Sequence, residues 1–216
     1  MKFLKNYLFL ISLITIMLSY PFLEDFIFGS LVSLILLSVS AFFCLLILSI
    51  HRRVFWLMVI ISILTIGFDI IAMFFTSSGI FAIQYFTLSV LFFLFAGILF
   101  YYLMMLKSLA FSDISNAVSV YLLIGIGFGF LYGFIEKIHP GSIAYSAVET
   151  ADISGDMIYY SFIILTTVGF GDMLPLFKIT KVLAMFESVI GILYIAIMIG
   201  RLVGISTSEK IKNETS

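Results

Sequence analysis

Long apolar stretches separated by short polar turns constrain this sequence more than any other feature. A helix needs about 20 mostly apolar residues to cross the hydrocarbon core of a bilayer. Stretches of suitable length lie at residues 7–23, 28–50, 54–75, 81–106, 117–135 and 176–204. Of the 216 residues, only 11% are charged, against about 25% in soluble domains. The sequence therefore predicts an all-α integral membrane protein with six transmembrane helices.

The basic residues predict how these helices are oriented, because Lys and Arg accumulate in cytoplasmic loops of membrane proteins. In a six-span arrangement most of them fall on one side, namely Lys2, Lys5, Arg52, Arg53, Lys107, Arg201, Lys210 and Lys212. Glu24 and Asp25 fall on the other side, and the exceptions to the rule are Lys137, Lys178 and Lys181. We expect a multi-pass protein of the cell (inner or plasma) membrane with both termini in the cytoplasm.

One segment departs from the pattern of spanning helices. Residues 157–166 are apolar and aromatic but too short to cross, so a helix there can lie at membrane depth only if protein buries it. The stretch that follows, 167–172, reads Thr-Val-Gly-Phe-Gly-Asp, and its glycines allow backbone conformations closed to other residues. Backbone carbonyls turned inward from four such loops can replace the hydration shell of a potassium ion.

This motif resembles the selectivity filter of the potassium channel family. Pro175 and Gly191 stand where that family places the proline after the filter and the glycine of the inner helix. The specific part of the resemblance covers residues 156–204. It implies a tetrameric pore built from four copies of the chain, in which a re-entrant pore helix leads into a filter loop.

The resemblance also divides the chain into regions. The first four spans, residues 1–106, resemble a voltage-sensor domain, and residues 107–116 would form a linker. The pore domain, 117–216, would comprise an outer helix at 117–135, a pore helix at 157–166, the filter at 167–172 and an inner helix at 176–204.

Potassium would bind as the permeant ion, without any other cofactor. By resemblance, its ligands would be the backbone carbonyls of Thr167, Val168, Gly169 and Phe170, together with the Thr167 hydroxyl. The residues expected to support this filter are Thr166, Gly171, Asp172, Tyr159 and Tyr160.

Two departures from the family pattern affect how the filter is held. Phe170 replaces the usual Tyr and cannot hydrogen-bond sideways, and Ile163 stands where some relatives carry a carboxylate that faces the filter aspartate. Asp172 therefore needs another partner, for which Tyr159 or Tyr160 is available. The two tyrosines could equally serve aromatic packing and interfacial anchoring.

In the sixth span, the residues Glu187, Gly191, Tyr194 and Arg201 resemble the inner helix of many small bacterial potassium channels. Gly191 could bend the helix or allow close packing. An acid within a span is unfavourable by about 2.5–3.5 kcal/mol, which favours a role in gating for Glu187, although it could equally be a buried acid that fixes helix packing. We expect it behind the pore helix, hydrogen-bonded and either protonated or ionised. The residues that would line the cavity, or else face lipid, are Ile192, Ile195, Ile199 and Val203.

The fourth span, residues 81–106, contains no Arg or Lys. Moving one charge across the membrane is worth about 2.3 kcal/mol per 100 mV, so this helix cannot supply steep voltage gating. Asp69, which resembles the acid on the third span of voltage sensors, would be neutral or would pair with Gln84, Tyr85 or an arginine at a span end.

These features predict a passive, potassium-selective channel that is not steeply voltage-gated and is not an enzyme. Its partners would be three further copies of itself and the lipid bilayer, with no nucleic acid. The alternatives are a weakly selective cation channel and a modulatory subunit of a heteromeric channel. A secondary transporter usually has broken helices in both halves, and this sequence has one re-entrant segment only.

Overall fold

The computed structural model describes residues 2–23, 78–106, 108, 110–145 and 153–214, together with short pieces between residues 35 and 71. Most of the second and third predicted spans, 28–50 and 54–75, therefore lie outside the described residues, as does Asp69. In the described ranges the helices are α1 (Lys2–Leu23), α2 (Ser78–Met105), α3 (Phe111–Ile138), α4 (Ile153–Leu165) and α5 (Lys178–Glu214).

Three stretches of the described chain are long and apolar enough to cross a membrane: Gly79–Met105, Asp113–Ile138 and Lys178–Thr207. The protein is thus a helical, multi-pass membrane protein. The first predicted span coincides with α1, whose apolar part, Lys5–Ser19, is shorter than the others. The arrangement of six spans stays a prediction.

Helix α3 begins at Phe111, inside the predicted linker 107–116, and ends at Ile138 rather than at 135. The Asp113 carboxylate accepts a hydrogen bond from the Ala110 amide at 2.9 Å. An acid at the third helical position that reaches back to the residue before the helix is one half of a capping box. Hydropathy misses this start, because the first turn of the helix is polar.

The core forms where α1 and α2 both pack along α3. Helix α1 contributes Phe9, Leu13 and Ile16, which recur at the spacing of one helical face. The larger share of the core comes from the interface of α2 with α3, where aromatic rings pair across the two helices, as Phe92 does with Phe130 at 5.5 Å. Helix α4 packs against both α3 and α5, so the short helix is enclosed by two long ones.

Two short strands correct the all-α expectation. Strands β1 (Ile143–Tyr145) and β2 (Met173–Pro175) pair antiparallel, with Ala144 opposite Leu174. Three residues are too few to show a strand periodicity in the sequence. The pairing joins the chain that precedes α4 to the chain that leaves the 166–172 loop. The two ends of the segment that contains α4 and the loop are therefore held together.

The buried Glu136, near the end of α3, fixes the turn between α3 and strand β1. Its carboxylate accepts hydrogen bonds from the Gly141 amide at 2.6 Å, the Ser142 hydroxyl at 2.7 Å and the Ile143 amide at 3.1 Å. A buried polar group needs such partners. The partners of Glu136 follow in a turn whose shape the sequence does not reveal.

Candidate functional site

The backbone φ angles of the 166–172 loop alternate between positive and negative values from one residue to the next, between Thr167 and Gly171. Thr167, Gly169 and Gly171 have φ angles of 61°, 54° and 81°, whereas Val168 and Phe170 between them are outside the positive region. Alternation of this kind gathers successive amide groups on one side of the chain. Thr167 is β-branched, and a positive φ at such a residue is strained. Strain of this kind concentrates at functional sites.

Hydrogen bonds from the loop run back to α4. The Gly169 amide donates to the Ile163 carbonyl at 3.1 Å, and the Thr167 amide donates to the Ile164 carbonyl at 2.9 Å. In a trans peptide the carbonyl points opposite to the amide of the same unit, and the described chain has no cis bond. The carbonyls of Val168 and Thr166 therefore point away from α4.

The end of α4 is fully engaged by these contacts. The last four carbonyls of a helix have no partner within it. In α4 each of them accepts a hydrogen bond, either from the loop that follows the helix or from α3. The Leu165 carbonyl accepts from the Tyr121 hydroxyl of α3 at 3.2 Å, and the Phe162 carbonyl accepts from the Thr166 hydroxyl at 2.6 Å. The loop is consequently fixed to α4, and α4 to α3.

The opposite side of the loop is open. Residues 166–171 are all exposed on the single chain, and the apolar side chains of Val168 and Phe170 are 55% and 70% exposed. In a membrane protein such side chains are covered either by lipid or by another protein chain.

Asp172, at the exit of the loop, is held by Tyr159. The Tyr159 hydroxyl donates to the carboxylate at 2.6 Å, and the Met173 amide donates to it at 3.1 Å. The hydrogen bond to Asp172 raises the pKa of the Tyr159 phenol above its ordinary value, which keeps the phenol protonated as a donor. Of the two tyrosines proposed as partners, Tyr159 makes the contact.

Tyr160 lies on the other face of α4. It is buried, with its ring 4.9 Å from that of Tyr132 in an edge-to-face arrangement. Its hydroxyl has no hydrogen-bond partner within the described chain. Tyr160 therefore packs against α3 and does not reach Asp172.

Glu187 of α5 is completely buried behind α4, where it was expected. Its carboxyl group lies 2.7 Å from the Tyr132 hydroxyl of α3 and 2.5 Å from the Ser161 hydroxyl of α4. The three helices around the loop thus meet at one side chain. Sequence reasoning missed Tyr132 and Ser161, although a lone serine within the apolar run of α4 was a signal that could have found one of them.

Further contacts of α5 follow the same buried face. A Cβ atom on Gly191 would overlap the Leu165 carbonyl oxygen, so the close-packing interpretation of this glycine is the one that the structure shows. The Tyr194 hydroxyl donates to the Ala117 carbonyl at 2.5 Å. The Arg201 guanidinium donates to the carbonyls of Met104 and Leu106, at 2.9 and 2.6 Å, just where α2 ends.

The four aliphatic residues expected along the cavity lie on other faces of α5. All are exposed on the single chain: Ile192, Ile195, Ile199 and Val203. Exposure on one chain fits a cavity wall and a lipid-facing surface alike, so the structure leaves both interpretations of these positions open.

Comparison with known proteins matches residues 120–207 to the model of a family described as ion channel. The match begins within α3, includes α4 and the loop, and ends within α5. No curated protein and no solved structure matches the chain. Fold and similarity together define a multi-pass membrane protein with a stretch similar to an ion channel domain. This similarity supports passive ion conduction, and the matched family is not enzymatic, in agreement with the prediction that the chain is no enzyme.

Proposed function

We propose that the protein is a potassium-selective channel in which the 166–172 loop is the filter, α4 the pore helix, α3 the outer helix and α5 the inner helix. The observation that carries the proposal is the hydrogen bond from the Gly169 amide to the Ile163 carbonyl. It directs the Val168 carbonyl away from the pore helix, toward the open side of the loop. Carbonyl oxygens presented in this way can replace the water around a potassium ion.

Four copies of the chain around one axis would complete the pore. A ring of carbonyls needs several loops, and the single chain leaves Val168 and Phe170 exposed. In the ring, neighbouring copies would cover these side chains while the carbonyls face the axis. The permeant ion would bind to the carbonyls of Thr167, Val168, Gly169 and Phe170, and no other cofactor is proposed.

Conduction would be passive and would not depend steeply on voltage. Helix α2 has no Lys or Arg, so the energy of about 2.3 kcal/mol per 100 mV for each moved charge is not available to it. The proposed location is the cell membrane with both termini in the cytoplasm, as the distribution of basic residues predicts.

Purified protein reconstituted in liposomes tests the proposal. We expect potassium flux that far exceeds sodium flux and that barium blocks. The variant G169A should abolish the flux, because alanine disfavours the positive φ at this position. G97A is the matched control, since a Cβ on Gly97 in α2 meets nothing within 4 Å. Equal loss of flux in both variants, or no flux from the wild type, would refute the proposal.

A weakly selective cation channel is the second candidate. Phe170 has no hydroxyl with which to brace the loop. Within the described residues, two hydrogen bonds that involve loop side chains reach α4, namely Tyr159 to Asp172 and Thr166 to the Phe162 carbonyl. A filter held by so few bonds could adapt to sodium. Comparable sodium and potassium flux, with barium block retained, would favour this candidate.

A further inference from the structure

The group of residues behind the pore helix contains more short oxygen contacts than its hydroxyl groups can supply with protons. Ser161 of α4 lies 2.5 Å from a Glu187 oxygen and 2.7 Å from the Gly125 carbonyl oxygen of α3. Tyr132 lies 2.7 Å from the other Glu187 oxygen. Tyr132, Ser161 and Glu187 are fully buried and Gly125 is buried as well. Bulk water therefore does not reach these oxygens to supply further hydrogen bonds.

The number of hydrogens that these side chains carry decides whether Glu187 is ionised. Each short contact between two oxygens requires one hydrogen between them. Tyr132 and Ser161 bring one hydrogen each, because a hydroxyl has a single donor. If Glu187 were ionised, Ser161 could serve only one of its two neighbours and would face the other with a lone pair. A hydrogen on Glu187 resolves the conflict, because the acid then donates to Ser161, which donates to Gly125.

We infer that Glu187 is held as a neutral carboxylic acid whose hydrogen completes a chain from Tyr132 through Glu187 and Ser161 to the Gly125 carbonyl, and that this chain positions the pore helix. Glu187 is thus a positioning residue. It acts through Ser161, which lies on α4. The carbonyls at the C-terminal end of α4 in turn bind the loop. The effect on conduction rests on the proposed function, whereas the protonation state does not.

The surroundings of the carboxyl group agree with a neutral acid. The titratable groups near it are phenols, namely Tyr132 and Tyr121 on α3 and Tyr160 on α4. None of the groups that act on Glu187 within the described chain is a cation. An isolated carboxylate buried without a positive partner is strongly unfavourable, and it avoids that state by binding a proton.

Infrared difference spectroscopy of the full-length protein in liposomes tests the state directly. Subtracting the spectrum of E187Q from that of the wild type at neutral pH should reveal the carbonyl band of a protonated carboxyl group. In S161A, which removes the acceptor of that proton, the band should shift. A carboxylate band in the wild-type difference spectrum, with no protonated band, would overturn the inference whether or not the protein conducts.

Potassium flux in the same liposomes tests the positioning role. An amide at position 187 can donate to Ser161 and accept from Tyr132, so E187Q should conduct like the wild type at neutral pH. At alkaline pH the wild type should lose flux as Glu187 ionises, while E187Q should keep it. S161A and Y132F each remove one link and should lower the flux by roughly tenfold.

S188A is the matched control, because the one hydrogen bond of the Ser188 hydroxyl within the described residues goes to the Met185 carbonyl of its own helix. It should leave flux and pH profile unchanged. If E187Q lost flux to the same extent as S161A, or if its alkaline profile followed the wild type, the positioning role would be wrong. Should S161A fail to assemble, the comparison of E187Q with Y132F decides the same question.

Discussion

The two sides of helix α4, the proposed pore helix, differ in how completely a single chain covers them. Behind it, Ser161 and Glu187 are fully buried and bonded to each other. In front of it, Val168 and Phe170 are more than half exposed. The back is therefore completed within one chain, whereas the front would be completed by other copies in the proposed tetramer. Substitutions behind the helix should affect the stability of each chain, and substitutions in front should affect assembly and selectivity.

The largest expected effect is at the back. G191A places a methyl group against the Leu165 carbonyl, which is backbone and cannot give way. We expect a loss of about 3 kcal/mol in the free energy of unfolding, at the upper end for overpacked sites. Thermal unfolding of the purified protein in detergent measures it.

G200A is the control on the same helix, because a Cβ on Gly200 meets nothing within 4 Å. Alanine is the better helix former by about 1 kcal/mol, so this variant should be slightly more stable than the wild type. Equal destabilisation of the two variants would mean that the back of the helix is not closely packed.

The next effect concerns the link between α2 and α5. R201Q shortens the side chain and removes the charge that bonds the carbonyls of Met104 and Leu106. Hydrogen bonds to charged groups contribute about 1.5–3 kcal/mol, so we expect a loss of about 2 kcal/mol. Faster hydrogen exchange at the end of α2, measured by mass spectrometry, should accompany it. Exchange that stays at the wild-type rate would show that Arg201 does not hold this end.

A smaller effect is expected in front of the helix. Y159F removes the bond to Asp172 and should cost about 1 kcal/mol of stability in the assembled protein. Y160F is the matched control, because the Tyr160 hydroxyl has no partner within the described chain and a buried unpaired hydroxyl is itself unfavourable. Thermal unfolding of the assembly should separate the two variants, and Y160F should be neutral or stabilising. The reverse order would contradict the assignment of Tyr159 as the partner of Asp172.

The smallest effect is expected at Phe170. F170Y restores the hydroxyl that the family usually has, and the ratio of potassium to sodium flux should stay the same, because the carbonyls and not this side chain would select the ion. A large change of the ratio would show that apolar contacts of Phe170 set the selectivity.

Sequence reasoning was most successful where length and hydropathy decide the structure. The apolar runs at 81–106 and 176–204 coincide closely with α2 and with most of α5. Glu187, which the resemblance of its helix led us to expect behind the pore helix, is buried against α4. The roles in conduction assigned to the loop residues stay predictions.

The sequence did not reveal contacts that depend on how helices approach each other. Ser161 and Tyr132 are ordinary residues of apolar helices until α5 brings Glu187 against them. Glu136 likewise gains its partners from a turn whose geometry has no periodic signal. The hydroxyl of Tyr159 could be assigned to Asp172 only once the face of α4 toward the loop was known.

The bi-ionic reversal potential across a planar bilayer tests the central claim most directly. With potassium on one side of the reconstituted protein and sodium at equal concentration on the other, we predict a reversal potential far from zero, of the sign that opposes potassium flow toward the sodium side. Current that reverses with no potential difference, as for a pore that admits both ions equally, would contradict the account.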